Sequence, residues 1–159
     1  MFSAVIVVFT KVCVALTSNL ILSKGGTNLA KVSICGCRCS FFDVSGKFQD
    51  LWVKYYGDAD AVIFCWQLGK NREQQQKVLE AVRRQIDDNI PVLIFGHNMD
   101  SIPDEALPTN TSVFISHYTS NMMQLYCGSA KSGQGIKEAM EWLIPLARRQ
   151  IKLKATLRK

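Results

Sequence analysis

Residues 41–66 read FFDVSGKFQDLWVKYYGDADAVIFCW and contain two apolar runs separated by a polar turn and an aromatic segment. The first run, Cys37–Asp43, follows Leu29–Ile34 closely, and the Cys35-Gly36 pair between them is typical of a tight hairpin turn. The second run, Ala61–Trp66, is apolar throughout, as in a strand buried on both faces of a parallel sheet. The segment therefore predicts an antiparallel hairpin within a largely parallel sheet.

Strands and helices alternate after this segment. A helix is predicted from about residue 70 to 88, because Val78, Val82 and Ile86 form one apolar stripe. Another helix begins near Gly135, and Pro145 is expected to kink or end it because proline lacks a backbone N–H. The pattern indicates a doubly wound α/β domain, in which ligands bind beyond the carboxyl ends of the strands. The other predicted strands are Val92–Phe95 and Met122–Cys127.

The first 22 residues are strongly apolar and allow several interpretations. Lys11 interrupts the run, which is unlike a signal peptide, and too few uninterrupted apolar residues remain to span a bilayer. A buried strand such as Ala4–Phe9, or part of a core helix, is favoured over a membrane anchor.

The charge of the chain is concentrated at its end. The 159 residues are 48% apolar, enough for one domain with a single core, and the net charge is +6. Residues 148–159 contain six basic and no acidic side chains, and the rest of the chain is neutral. This distribution argues against a nucleic-acid-binding domain surrounded by positive potential. It predicts a basic tail, either solvated or in contact with an anionic membrane surface.

Three cysteines, Cys35, Cys37 and Cys39, alternate and would share one face of a strand. A thiolate metal site is one interpretation, but zinc sites need paired spacing or nearby histidines, and the chain has two histidines in all. Buried, reduced thiols of a cytosolic protein are favoured, since free cysteine behaves as a small apolar residue.

Polar turns follow three predicted strands. DVSGK (43–47) follows the hairpin, GHNMD (96–100) follows the run at 92–95, and GSAKSGQG (128–135) follows the run at 122–127. Because the carboxyl ends of parallel strands lie at one edge of a sheet, we expect these turns to converge on one crevice.

The order and spacing of these motifs resemble those of the Ras superfamily of small GTPases, within it the ADP-ribosylation-factor-like (Arf-like) group. The resemblance covers about residues 26–143. The segment at 41–66 is similar to the group's D-x-G-G and L-W-x-x-Y-Y motifs, VLIFGHNMD occupies the N-K-x-D place, and CGSAKSGQG matches the S-A-K turn. The sequences GTNL (26–29) and YYG (55–57) are most similar to those of the Arf-like protein 16 branch.

The resemblance implies a small G-protein fold of the P-loop NTPase type that binds GTP or GDP with magnesium. By this analogy, Asp43 holds Mg²⁺ through water and the Gly46 backbone senses the γ-phosphate. Asp100 accepts two hydrogen bonds from guanine, the Ala130 amide donates to guanine O6, and the neighbouring residues shape the site. The implied nucleotide-binding set is Asp43, Gly46, His97, Asn98, Asp100, Ser129, Ala130 and Lys131.

The resemblance also implies partners and a location. Effector and regulator proteins are expected at the switch region near Leu51, Trp52, Tyr55 and Tyr56. The expected setting is the cytoplasm, in part at membranes, with a role in intracellular trafficking.

The chain departs from the family pattern where phosphate chemistry takes place. No G-x-x-x-x-G-K-[S/T] occurs in its 159 residues, so the first βα unit is expected to be incomplete, with residues 1–25 replacing the phosphate-loop unit. This apolar segment falls where the first helix should be, or serves as a substitute first strand. Lys47 replaces the water-orienting glutamine and, having donors only, leaves no catalytic residue. Lys24, Ser45, His97 and Asn98 are further departures.

Two interpretations follow. In one, residues 26–147 are an Arf-like G domain whose phosphate-loop unit has been replaced, with residues 148–159 as a basic tail. In the other, the chain is a pseudo-GTPase that acts as a nucleotide-independent interaction or scaffold protein. Both predict little or no GTP hydrolysis.

Overall fold

A computed structural model describes residues 3–9, 27–44, 55–69, 72–106, 111 and 120–157. Short 3₁₀ helices lie at Met99–Ser101 and Asp104–Ala106. The helices are α1 (Arg72–Arg83) and α2 (Ile136–Leu157), and the strands are β1 (Ser3–Phe9), β2 (Thr27–Ile34), β3 (Cys37–Val44), β4 (Ala61–Gln67), β5 (Val92–His97) and β6 (Met123–Cys127).

The strands form one six-stranded sheet in the order β2-β3-β1-β4-β5-β6. Only β2 runs antiparallel to its neighbour; all other neighbouring pairs of this sheet are parallel. Cys35 and Gly36 join β2 to β3 with φ of 50° and 69°. Two positive φ values in a two-residue loop match the twist of a hairpin. The predicted doubly wound α/β fold with one antiparallel hairpin is confirmed.

The N-terminal segment supplies the central strand of the sheet. Val8 in β1 is in register with Asp43 on one side, and Phe9 with Phe64 on the other. The substitute-strand interpretation is therefore confirmed for residues 3–9. The physical reason is that a sheet without β1 would leave the facing edges of β3 and β4 unpaired. Residues 10–26, where a phosphate loop would follow, lie outside the described residues.

Helices cover both faces of the sheet. Along β4, Val62, Phe64 and Trp66 join a core with Leu79 and Val82 of α1. The alternate residues of β4 and β5 face α2, as the period of two in a strand requires. This second core contains Ala61, Ile63, Leu93, Phe95, Met140, Leu143 and Ile144. Because β6 is an edge strand, most of its side chains are half-buried.

Helix α2 continues through Pro145 to Leu157. Of the two predicted effects of Pro145, ending the helix is wrong, because residues beyond the proline are held by tertiary contacts that offset the lost hydrogen bond, and a kink stays a prediction. Ala147 and Gln150 are buried, and the Gln150 amide donates to the Asn89 carbonyl. The expected domain boundary at residue 147 therefore falls inside a helix. In the part of the chain that the structure describes, neither helix has the length and apolar character needed to cross a bilayer.

Candidate functional site

The turns after β5 and β6 meet at the carboxyl edge of the sheet. The Met99 N–H donates to the Gly128 carbonyl over 3.1 Å, and the Gly128 N–H donates to the Gly96 carbonyl over 2.8 Å. These bonds extend the pairing of the two strands into the turns. They place Asp100 beside Ser129, as the crevice hypothesis predicts.

The Ser129 hydroxyl organises this edge. Ser129 is fully buried, and its Oγ accepts hydrogen bonds from the backbone N–H groups of Lys131 at 3.2 Å and Ser132 at 3.3 Å. Interaction with the Ser129 side chain, helped by the charge of Lys131, lowers the pKa of Asp100. The hydroxyl thus fixes the loop through two accepted hydrogen bonds and helps to keep an exposed carboxylate ionised.

Two glycines let this loop close on itself. A Cβ atom at Gly128 would come within 2.2 Å of the Gln134 carbonyl oxygen, and one at Gly135 within 2.2 Å of the Cys127 carbonyl oxygen. Gly135 also has a φ of +74°, which side chains rarely adopt. The GSAKSGQG motif therefore encodes a tight cradle at the end of β6.

His97 and Asn98 turn the chain from β5 toward Asp100. The His97 ring is buried, and its Nδ1 lies 3.0 Å from Asn98 Oδ1. Asn98 has a φ of 67°, a left-handed conformation that asparagine tolerates better than most residues. Their side chains therefore bond to each other at the N-K positions of the family motif.

Sequence reasoning missed Gln75, which ties α1 to the same edge. Its Oε1 accepts from the Gln67 N–H over 2.7 Å, and its Nε2 donates to the Gln67 carbonyl over 3.1 Å. A glutamine on a polar helix face gives no sequence signal for such a role. The pair extends β4 where its backbone would otherwise need other partners.

The remaining predicted residues are only partly placed. Asp43 is the next-to-last residue of β3, which is three strands from β5, or about 14 Å across the sheet. Its side chain, and Gly46, Lys47, Leu51 and Trp52, lie outside the described residues. Within the described ranges, no three His, Cys, Asp or Glu side chains are grouped so as to hold a metal ion. The magnesium role of Asp43 stays a prediction.

The tyrosines of the expected partner surface differ in burial. Tyr56 is 5% exposed and packs in the core beneath α1, and this burial raises the pKa of its hydroxyl. The Tyr56 ring fills the core at the amino end of β4 and is not itself open to a partner, whereas the partner surface near these residues stays a prediction. Tyr55 is half-buried, with its ring centroid 5.6 Å from that of Phe42.

The cysteines of the hairpin are not a metal site. Cys37 and Cys39 are buried free thiols on β3, and burial, with a smaller contribution from Cys37, raises the pKa of Cys39 to about 12. This confirms the prediction of reduced, buried thiols for these two residues. Cys35 lies in the turn and is exposed, unlike Cys37 and Cys39.

Comparison with known proteins is consistent with this arrangement. A model of the ADP-ribosylation factor family matches residues 17–146. ADP-ribosylation factor-related protein 1 of Bos taurus is 26% identical over 153 residues, which cover 90% of this chain and 75% of that protein. ADP-ribosylation factor-like protein 3 of Chlamydomonas reinhardtii is 24% identical over 125 residues, or 75% of this chain and 71% of that protein.

A solved structure shares the fold. The small GTPase Arl6 BBS3 of Trypanosoma brucei, with the nucleotide analogue GppNp bound, has a TM-score of 0.68 and 20% identity. The match covers 93% of this chain and 99% of that one.

Proposed function

The chain belongs to the ADP-ribosylation factor family of small GTP-binding proteins, and we propose that it retains the guanine-recognition half of the family's site without the phosphate-handling half. It then binds guanine nucleotides weakly and hydrolyses GTP little or not at all. Its placement in the Arf-like protein 16 branch, a cytoplasmic location and a role in trafficking are part of the same proposal.

The pairing of Asp100 with Ser129 is the observation that carries the proposal. An ionised Asp100 offers two oxygens to the N1–H and exocyclic amine of guanine, a donor pair that adenine lacks on the same edge. Sites built to pair with such donors discriminate strongly against a base without them. The Ala130 N–H would donate to guanine O6, and Ser129 and Lys131 would shape the turn. The GppNp bound to the Arl6 of Trypanosoma brucei is consistent with a nucleotide in this fold.

The loss of phosphate handling is argued from sequence. A glycine-rich loop with its lysine normally cradles the phosphates, and the chain has no such motif. Asp43, at the carboxyl end of β3, is the residue that would hold Mg²⁺ through water. Lys47 has no acceptor with which to orient an attacking water. Affinity should therefore come from the base more than from the phosphates.

Nucleotide titration tests this division. We expect GDP to bind with a dissociation constant above the micromolar range and EDTA to change it little. Guanosine should shift the backbone amide signals of Ser129 and Ala130 in a protein NMR spectrum, and adenosine should not. Asp100→Asn should weaken guanosine binding about tenfold or more, because an amide group repels one guanine donor. Asp58→Asn, an exposed carboxylate at the opposite edge of the sheet, is the matched control.

Each alternative has a distinct result. Submicromolar GDP binding that EDTA abolishes would show a working phosphate and magnesium site. Equal shifts with guanosine and adenosine, or no effect of Asp100→Asn, would remove the guanine-recognition proposal.

The second candidate is a nucleotide-independent interaction protein. The hydrogen bond between His97 and Asn98 favours this candidate. The two side chains bond to each other at positions where the family motif contacts the nucleotide site. Effectors would bind near Leu51, Trp52 and Tyr55. A pull-down of partners that is unchanged by GTP, GDP or EDTA supports this candidate, and one that depends on GTP contradicts it.

A further inference from the structure

The last turns of α2 form one wall of a cleft. Four residues of the helix line it and share one helix face, because they are spaced three or four positions apart: Gln150, Leu153, Lys154 and Leu157. The facing wall is the turn between α1 and β5 and includes Asp87 and Ile90. The cleft has a volume of about 560 Å³, which is typical of a binding cleft.

Contacts within the domain fix both walls. The Gln150 amide donates to the Asn89 carbonyl and so joins one wall to the other. Lys154 Nζ lies 2.7 Å from the Ala59 carbonyl oxygen and 3.2 Å from Asp60 Oδ1. These contacts set the rotation of the helix, so its leucines stay in the cleft. A cleft that is already formed saves a partner the cost of ordering it.

The leucines of the cleft are open to solvent. Leu153 is 45% exposed and Leu157 is 86% exposed, and in the part of the chain that the structure describes these are the exposed large apolar side chains. Apolar surface gains free energy when another surface removes it from water. The position of both leucines in one cleft therefore favours a partner that binds there.

The charges around the cleft are complementary to each other. Asp87 is exposed, and its Oδ1 accepts hydrogen bonds from the N–H and the side-chain amide of Asn89 over 2.8 and 2.9 Å. Both donors are neutral and do not cancel its negative charge. Arg149 is exposed on α2 and, four residues before Leu153, flanks the leucines. Each molecule thus has an anion on one wall and a cation beside the other.

We propose that this cleft is the contact surface of a symmetric dimer of the chain. In a two-fold contact each surface meets a copy of itself, so Leu153 and Leu157 of the two copies pack together. Arg149 of each copy then pairs with Asp87 of the other. The helical part of the surface, residues 150–157, is only about 12 Å long. The dimer is therefore weak, with a dissociation constant on the order of 10–100 μM.

The contact leaves the candidate guanine site open. Lys154 bonds to the Ala59 carbonyl just before β4 begins, so the cleft lies at the amino edge of the sheet. Asp100 and Ser129 follow the carboxyl ends of β5 and β6. Dimerisation therefore needs no nucleotide and does not depend on the proposed function.

Analytical ultracentrifugation of the full chain without nucleotide tests the proposal. Over a concentration series, the average mass should rise from that of a monomer toward that of a dimer. Leu157→Ser should raise the dissociation constant about tenfold or more, because it removes a central apolar contact. Arg149→Glu and Asp87→Lys should each raise it about tenfold, and the double variant should return to within about threefold of the unchanged chain, because the two charges are exchanged.

Two further variants serve as controls. Lys137→Glu reverses the charge of an exposed lysine at the other end of α2 and should leave the dissociation constant unchanged. Asp87→Asn keeps an oxygen for the Asn89 donors and removes only the charge, so it should raise the dissociation constant about threefold without disturbing the turn.

Several outcomes would overturn the proposal. These are a monomeric mass at every concentration, a dimer that Leu157→Ser leaves unchanged, or a double charge variant that is no tighter than either single one. A chain that stays monomeric but binds anionic vesicles through Leu157 would assign the cleft to a lipid surface instead. Guanosine binding is read separately from the amide signals of Ser129 and Ala130, so failure of either proposal is distinguishable from failure of the other.

Discussion

Replacing Ser129 with alanine tests the central feature of the site. The change removes the two hydrogen bonds that Oγ accepts, from Lys131 and Ser132, and the interaction of the hydroxyl with Asp100. Each such bond contributes about 1 kcal/mol net, but water can replace partners in an exposed loop, so we expect the free energy of unfolding to fall by about 2 kcal/mol. In a chain of this size, that lowers Tm by about 4–8 °C.

The same variant has an electrostatic readout. Without the Ser129 hydroxyl, the pKa of Asp100 should rise toward its ordinary value, which a carbon NMR titration of the carboxyl group measures. Because the interaction holds the folded-state pKa of Asp100 below its unfolded value, its contribution to the free energy of unfolding is present at neutral pH and is lost as pH falls through the folded-state pKa. The charge of Lys131 remains in the variant, so part of the shift should persist.

Ser132→Ala is the matched control. Ser132 is exposed and its Oγ accepts one hydrogen bond from the Gln134 N–H over 3.3 Å, so its loss should cost less than about 1 kcal/mol. If Ser129→Ala and Ser132→Ala have equal Tm values and Asp100 titrates as before, the organising role of Ser129 is refuted.

Three further predictions concern burial. Lys154→Met removes the cation that lies 3.2 Å from Asp60, whose side chain is 8% exposed. In urea unfolding, the free energy of unfolding should fall by about 3 kcal/mol and recover in part when Asp60→Asn is added. An unchanged free energy of unfolding would contradict a stabilising ion pair. Burial raises the pKa of the Tyr56 hydroxyl above its unfolded value, so its contribution to the free energy of unfolding is complete below about pH 10 and is lost as pH rises through the folded-state pKa. Tyr56→Phe should therefore make stability depend less on pH in the alkaline range. An unchanged alkaline profile would argue against this. Iodoacetamide at pH 8 should alkylate Cys35 well before Cys39, as peptide mass spectrometry can determine, and equal rates would contradict the burial of Cys39.

Much of the fold was predictable because the pattern of apolar and turn residues along the chain indicates strands and hairpins directly. Continuous apolar runs indicated β4 and β5, and the Cys35-Gly36 pair indicated the hairpin. The end of α2 was not predictable, because the contact between Lys154 and Ala59 joins residues 95 positions apart. Rules based on neighbouring residues take account of Pro145 but contain no information on a contact such as that between Lys154 and Ala59.

The candidate site shows the same division. The motifs around Asp100 and Ser129 were visible as polar turns after apolar runs, and their convergence follows from the rule for parallel strands. Gln75 was not visible, because its bonds to Gln67 depend on how α1 packs against the sheet.

The sequence by itself determined the class of fold, the order of the motifs and the absence of a phosphate-loop motif, because these depend on residue type and spacing along the chain. The tertiary structure decided that Ser3–Phe9 forms the central strand, that the buried Ser129 hydroxyl organises the loop beside Asp100, and that the basic segment continues α2. Each of these depends on contacts between distant residues, whose energies no local pattern contains.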